Sequence, residues 1–343
     1  MAFKAERLTS QNVSSVQTAI PLNDIALTRM LLLDVTVNLG ATADAALTWI
    51  DAVAAAALCF RAICLQYGSD QPFDIDGQTL FYYNYVKGNN IPLHTYLTSG
   101  TVGVPNLQAI SLVLDFSLIN NTTPQGGVLD PRKALNLFFI PAVGTDVASN
   151  AGIVLTNLTV EITQVYELAF GMADFKPTIR WCTLFSQPLT ASVTKQQVPI
   201  TPNVGNRLHM IMMIIGSSGS QGKVVPANGL TRFTLNLGGL KLYDDVLATN
   251  LKNMFCYTHN PIEGNGTAYQ SSNAVDATYP GMTGMYVADS THYNDQMTAG
   301  QDYPVSSSGN NKLFLDTNAN GSVVVALVES FEGLPSNIAH KGA

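Results

Sequence analysis

The chain has 343 residues, more than one hydrophobic core ordinarily serves, so two domains are expected. Apolar residues make up 46% of it and charged residues only 12%, against ~25% in an average soluble domain, and the net charge is −7 with no run of lysine or arginine. That balance excludes direct contact with nucleic acid, which needs clustered cations, and a surface so poor in charge implies cover by other copies or partners. The most apolar stretch, Ala45 to Leu65, is broken by Asp51 and Arg61 and falls short of the ~20 uninterrupted residues of a membrane span; it reads as loop, strand edge and strand. The opening Met1-Ala-Phe-Lys-Ala-Glu-Arg-Leu8 lacks the apolar centre of a signal peptide, so nothing marks the chain for export.

Residues 1–24 mix Lys4, Arg7, Gln11 and Asn12 with scattered Phe3, Leu8, Val13 and Val16, which predicts an N-terminal arm or short helix outside the core. Strand sequence begins at Ile25. In Arg29 to Leu39, Leu31, Leu33, Val35 and Val37 point one way and Met30, Leu32, Asp34 and Thr36 the other, the alternation of a half-buried strand. Leu58 to Tyr67 is a second strand, Pro72 to Gly77 a short strand or turn, and Leu80 to Val86 a brief helix ending near Gly88. Leu107 to Ile119 alternates most cleanly, with Ile110, Leu112, Leu114 and Phe116 against Ser111, Asp115 and Ser117. Ala134 to Pro141 and the strand around Leu158, Val160 and Ile162 complete this half.

Gly171 and Pro177 interrupt the pattern, placing a boundary near 170–178: a first domain over 25–172, a second over 173–332 and a tail over 333–343. The second half repeats the order of the first. Ile179 to Phe185 reopens strand sequence, and Arg207 to Ile215 opens on an arginine like Arg29 to Leu39. Leu230 to Leu237 matches Leu58 to Tyr67, and Leu240 to Tyr243 with a helical stretch over Asp244 to Phe255 matches Pro72 to Val86. Gly284 to Asp289 and Lys312 to Leu315 continue the sheets, and Ser322 to Phe331 closes this half as Asn157 to Phe170 closed the first. Short strands divided by Gly, Pro, Asn and Ser turns argue for all-β sandwiches.

Chemical motifs are weak. Gly216 to Lys223 resembles a phosphate loop, but its glycine spacing is wrong, Val224 stands where Ser or Thr should and Pro226 opposes a helix, so it reads as a turn. His94, His209, His259, His292 and His340 lie apart without metal-ligand spacing, and His209 reads as a packed core or interface histidine. Asp70, Asp74 and Asp76 could together hold a cation but read better as turn residues. Cys59, Cys64, Cys182 and Cys256 form no CxxC; Cys59 and Cys64 fall on opposite faces of one strand, and free thiols in a reducing cytoplasm are expected. Asn12, Asn120, Asn121, Asn157, Asn265 and Asn320 match the glycosylation pattern only because Asn, Ser and Thr abound. No Gly-x-Ser-x-Gly elbow is present, so no catalytic, cofactor-binding or metal residue is assigned and no enzyme is expected.

The order of these elements resembles the double jelly-roll major capsid proteins of the tectivirus and adenovirus lineage, most of all the tectivirus-like phages with an internal membrane. The resemblance rests on Arg29 to Leu39, on Phe60 to Tyr67 leading into Leu80 to Lys87, on Ala134 to Pro141, on Pro280 to Asp289 and on Val323 to Phe331. It implies two tandem eight-stranded jelly-roll sandwiches with short helices in loops, in a homotrimer of pseudo-hexagonal outline. It further implies neighbouring capsomers and minor capsid or penton proteins as partners, an N-terminal arm turned toward an internal lipid membrane, and a virion location after synthesis in the host cytoplasm. Gly88 to Pro105 and Asn260 to Pro280 are candidate tower or interface loops. The alternatives are a carbohydrate-binding, spike or adhesin module and, behind it, a two-domain glycan-cleaving enzyme. The enzyme would need paired acids in a cleft and aromatic platforms, whereas the chain has only Trp49 and Trp181 and no visible acid pair.

Overall fold

The computed structural model describes residues 2–8, 10–13, 18–23, 27–41, 59–88, 106–116, 129, 135–142, 153–168, 178–191, 193–202, 207–217, 230–259, 285–289, 310–318 and 320–332. The first half carries β1 (Ala2–Arg7), β2 (Gln11–Asn12), β3 (Thr18–Pro21), β4 (Leu27–Ala41), β5 (Phe60–Tyr67), β6 (Asp70–Ile75), helix α1 (Gly77–Gly88), β7 (Asn106–Asp115), β8 (Leu135–Pro141) and β9 (Ile153–Leu168). One sheet runs β1-β9-β4-β7, with β2 also pairing β9, and the other set runs β3-β8-β5-β6. With β1 and β2 counted as one interrupted strand, the spatial order is first-eighth-third-sixth over second-seventh-fourth-fifth, the jelly-roll order, with every pairing within it antiparallel.

The second half carries β10 (Thr178–Leu189), β11 (Gln196–Pro199), β12 (Arg207–Ser217), β13 (Leu230–Leu237), β14 (Leu240–Leu247), helix α2 (Ala248–His259), β15 (Met285–Asp289), β16 (Lys312–Thr317) and β17 (Gly321–Glu332). Its sheets run β10-β17-β12-β15 and β11-β16-β13-β14, the same order again. The chain is therefore a double jelly roll. The halves join where β6 pairs β10 in parallel at Phe73 and Cys182, so that an eight-stranded sheet runs continuously from β15 to β3.

The alternations read from the sequence place the cores. Leu31, Leu33, Val35 and Val37 of β4 are buried while Met30, Leu32 and Thr36 are half-buried and Asp34 is exposed; Ile110, Leu112, Leu114 and Phe116 are likewise buried. The second half differs: every residue from Leu208 to Ile215 is buried. Ile211, Met213 and Ile215 join the core of the second sandwich, and Met210, Met212 and Ile214 join the core of the first. A strand buried on both faces reads as an unbroken apolar run, which is why β12 lacks the alternation of β4.

Three expectations are corrected. The described parts of residues 1–24 are not an arm or short helix: β1, β2 and β3 enter the sheets, and Val13, Ile20 and Leu22 are buried. Their apolar signal is faint because β1 is an edge strand whose Lys4, Ala5 and Arg7 are exposed on both faces. The arginines that open β4 and β12 are not equivalent either. Each strand has a register shift against its closing partner, between Thr28 and Met30 in one and between Leu208 and Met210 in the other, so the extra residue is Arg29 in β4 and His209 in β12. Finally, β14 extends to Leu247, so the helix begins at Ala248 and not at Asp244. The hairpin before it turns on Gly238 (φ 60) and Gly239 (φ 84), the left-handed pair that a two-residue loop matching strand twist requires. The expected domain boundary lies almost wholly on residues 169–177, outside the described residues, as do the tail over 333–343 and both candidate tower loops apart from Gly88.

Candidate functional site

The residues that could carry chemistry are used structurally. Asp76 caps α1, accepting the Thr79 backbone N–H at 2.6 Å, while Asp74 projects from the exposed face of β6 and accepts a hydrogen bond from the Cys64 thiol at 3.0 Å. Asp70 sits at the start of β6, so the three carboxylates are spread from one end of that strand to the cap of α1; among the described residues no group of three His, Cys, Asp or Glu could hold a metal ion. His209 is buried in β12 and His259 ends α2; His94, His292 and His340 lie outside the described residues, as does Gly216 to Lys223 beyond Ser217.

Burial sets the protonation of the groups that depart from their ordinary range. It pushes the Cys59 thiol well up, and it pushes Cys64 up to about 12 with help from the hydrogen bond and charge of Asp74. Both thiols stay protonated and poorly nucleophilic at neutral pH. Burial also raises Asp76, opposed by its hydrogen bonds from Thr79, and raises the phenol of Tyr82. Cys59, Cys64 and Cys182 are free thiols.

What the fold presents instead is a set of sheet edges and faces treated differently in the two halves. The outer edge of β7 is occupied by Asn84 of α1, whose amide donates to Val113 C=O at 2.6 Å and whose carbonyl accepts from Val113 N–H at 2.7 Å. That closes an edge open to pairing with other chains. The edge of β6 is taken by β10, and α1 is buried at Gln78 through Tyr83 and at Val86. Of the matching elements in the second half, β15 is buried, but β14 and one side of α2 are open. Among the described residues β14 pairs only β13, and two of the three exposed large apolar residues, Leu240 (58% exposed) and Leu247 (42%), mark its ends. Thr249, Asn250 and Asn253 of α2 are exposed. At the other end of the chain β1 pairs only β9 among the described residues, and the outer face of its sheet, with Met30, Leu32, Asp34, Glu161 and Val165, is at best half-buried. Asp34 accepts from Ser111, and Arg7 pairs with Glu161 on that face.

None of this was readable as a site in advance, because an edge is defined by what lies beside it. The sequence does carry traces: the exposed apolar ends of β14 and the unbroken apolar run of β12.

No protein-family model matches the sequence, and no curated protein matches it. Solved structures do match. A chain from the atomic structure of the Sulfolobus turreted icosahedral virus aligns over 98% of this chain and 95% of its own with a TM-score of 0.69 at 14% identity. The major capsid protein of bacteriophage PM2 aligns over 97% and 99% with a TM-score of 0.55 at 12% identity. A chain of the PBCV-1 virus capsid aligns over 97% and 95% with a TM-score of 0.57 at 11% identity. The shared property at these identities is the double jelly-roll fold over the full chain.

Proposed function

We propose that this chain is the major capsid protein of an icosahedral DNA virus, a structural subunit and not an enzyme. The observation that carries the reading is the jelly-roll order met twice and joined edge to edge, in an arrangement shared along nearly the whole chain with capsid proteins of icosahedral viruses. Two similar blocks per chain let three identical chains present six walls, so the proposed capsomer is a homotrimer of pseudo-hexagonal outline that meets neighbouring capsomers and minor capsid or penton proteins. The division into one sandwich over 25–172 and one over 173–332 becomes, with β1 to β3 added to the first, part of the same proposal. The virus proposed is of the tectivirus-like bacteriophage type, assembled from protein made in the host cytoplasm.

A net charge of −7 and the scarcity of cations support a shell held away from its genome by an internal lipid layer. Contact with that layer through an N-terminal arm is withdrawn, because residues 2–7 are a strand of the sheet. The test is the mass of the purified protein by light scattering after size exclusion. A stable species of three times 36.7 kDa, about 110 kDa, is expected. A monomer under mild conditions would overturn the reading and bring the glycan-binding alternative forward.

A further inference from the structure

The two jelly rolls of the chain are joined at one pair of sheet edges. At that junction the fifth strand of the first jelly roll, β6, lies parallel to the first strand of the second, β10. The fifth strand of the second jelly roll, β14, and the first strand of the first, β1, are the two counterparts left without a neighbour among the described residues. We propose that β14 of one copy pairs in parallel with β1 of a second copy, so that α2 comes to rest over the outer face of the next copy's β1-β9-β4-β7 sheet. A head-to-tail contact of this kind closes into a ring or runs on as a filament. The ring of three rests on the capsid reading; the strand pairing itself does not.

The register follows from superposing the halves. The hairpin pairs Tyr67 with Asp70 and Leu237 with Leu240 make Phe73 and Tyr243 equivalent. The matched bulges in β4 and β12 make Val165 equivalent to Val328, and hence Ala5, which pairs Val165, equivalent to Cys182, which pairs Val328. Phe73 therefore meets Cys182 within the chain, and Tyr243 meets Ala5 of the next copy, an aromatic ring against a small residue in both cases.

Burial agrees with this occupant, as does the opposite net sign of the two edges. β14 has two aspartates to one lysine and β1 a lysine and an arginine to one glutamate; on this register Arg7, which pairs Glu161 in its own chain, meets Asp245 favourably, whereas Glu6 meets Asp244 as a like charge. The outer face at Met210, Met212 and Ile214 is buried in the same core as Phe81 and Tyr82 of α1, while its counterpart at Met30, Leu32 and Asp34 is open. The contact between copies is correspondingly more polar than the contact within one: Asn253 of α2 stands where α1 has Tyr82, and Asp34 of the facing sheet where β12 has Ile214.

The test uses cysteine pairs in the full chain. On this register Glu6 faces Asp244 and Lys4 faces Leu242 across the contact. Glu6→Cys with Asp244→Cys, and separately Lys4→Cys with Leu242→Cys, are oxidised mildly and run on a non-reducing denaturing gel beside the four single variants. Covalent dimers and trimers from both pairs, at least tenfold over the single variants, are expected. If the native protein has the mass of three chains and neither pair links, the proposal fails and the capsid reading stands. If the protein is monomeric and nothing links, both fail. Linked products that extend past three chains would keep the strand pairing and overturn the closed ring.

Discussion

Gln164 shows how much one buried amide can organise. It is fully buried in β9, accepts from Asn23 N–H at 3.0 Å, and donates to Asn23 C=O at 2.9 Å and to the Thr28 hydroxyl at 2.6 Å. It thereby fixes the chain where it crosses from the sheet of β3 to that of β4. The equivalent position in the second half is Leu327. Gln164→Leu keeps the volume but strands three polar groups, and a loss of ~2–4 kcal/mol in urea unfolding is expected. Cys64 gives a second test at this scale. The folded thiol holds its proton up to about 12 and the unfolded one only to 9.0, so its stabilising contribution is whole below pH 9 and is lost as pH rises from there toward 12. The stability difference between the protein and Cys64→Ala should therefore shrink between pH 8.5 and 11, measured by denaturation midpoints at both.

Among the elements, α1 best separates what sequence can say from what it cannot. Its existence was readable from the stretch Leu80 to Val86, but its start was not: Asp76, read as a turn residue, caps a helix that begins at Gly77. Burial on nearly every side was not readable, because the core it joins also includes Met210, Met212 and Ile214 of the second jelly roll. Asp76→Ala should cost ~1 kcal/mol through loss of the cap. Asp76→Asn keeps the acceptor and removes a carboxylate whose ionised form is penalised by burial, so at neutral pH its melting temperature should equal or exceed that of the parent. The same division holds for strands. The alternation of β4 and β7 announced their inner faces, whereas the β6–β10 junction rests on one residue pair in parallel register and leaves no pattern in either strand. The edge strand β1 was misread for the related reason that exposure on both faces erases period-two contrast.

For the whole molecule, the two halves are one plan under two degrees of cover. Asp34 and Ile214 occupy the same place in the plan, on the outer face of the third strand, yet one is exposed and the other buried between sandwiches. Ile214→Asp should cost more than ~3 kcal/mol and abolish soluble expression, while Asp34→Ile should fold normally by circular dichroism. Leu112→Asp and Leu114→Asp should abolish soluble folding too, both residues being fully buried in the first core. The shared sheet also bears on synthesis. The first half leaves the ribosome with the β6 edge and the outer side of α1, including Phe81 and Tyr82, still bare, and residues 178–332 take roughly 10–30 s to follow at about 5–20 residues per second. Throughout that interval the unfinished chain displays a strand edge and an aromatic patch that any sister chain on the same message could seize. The order of translation makes the internal seam the place where holdase chaperones would be needed.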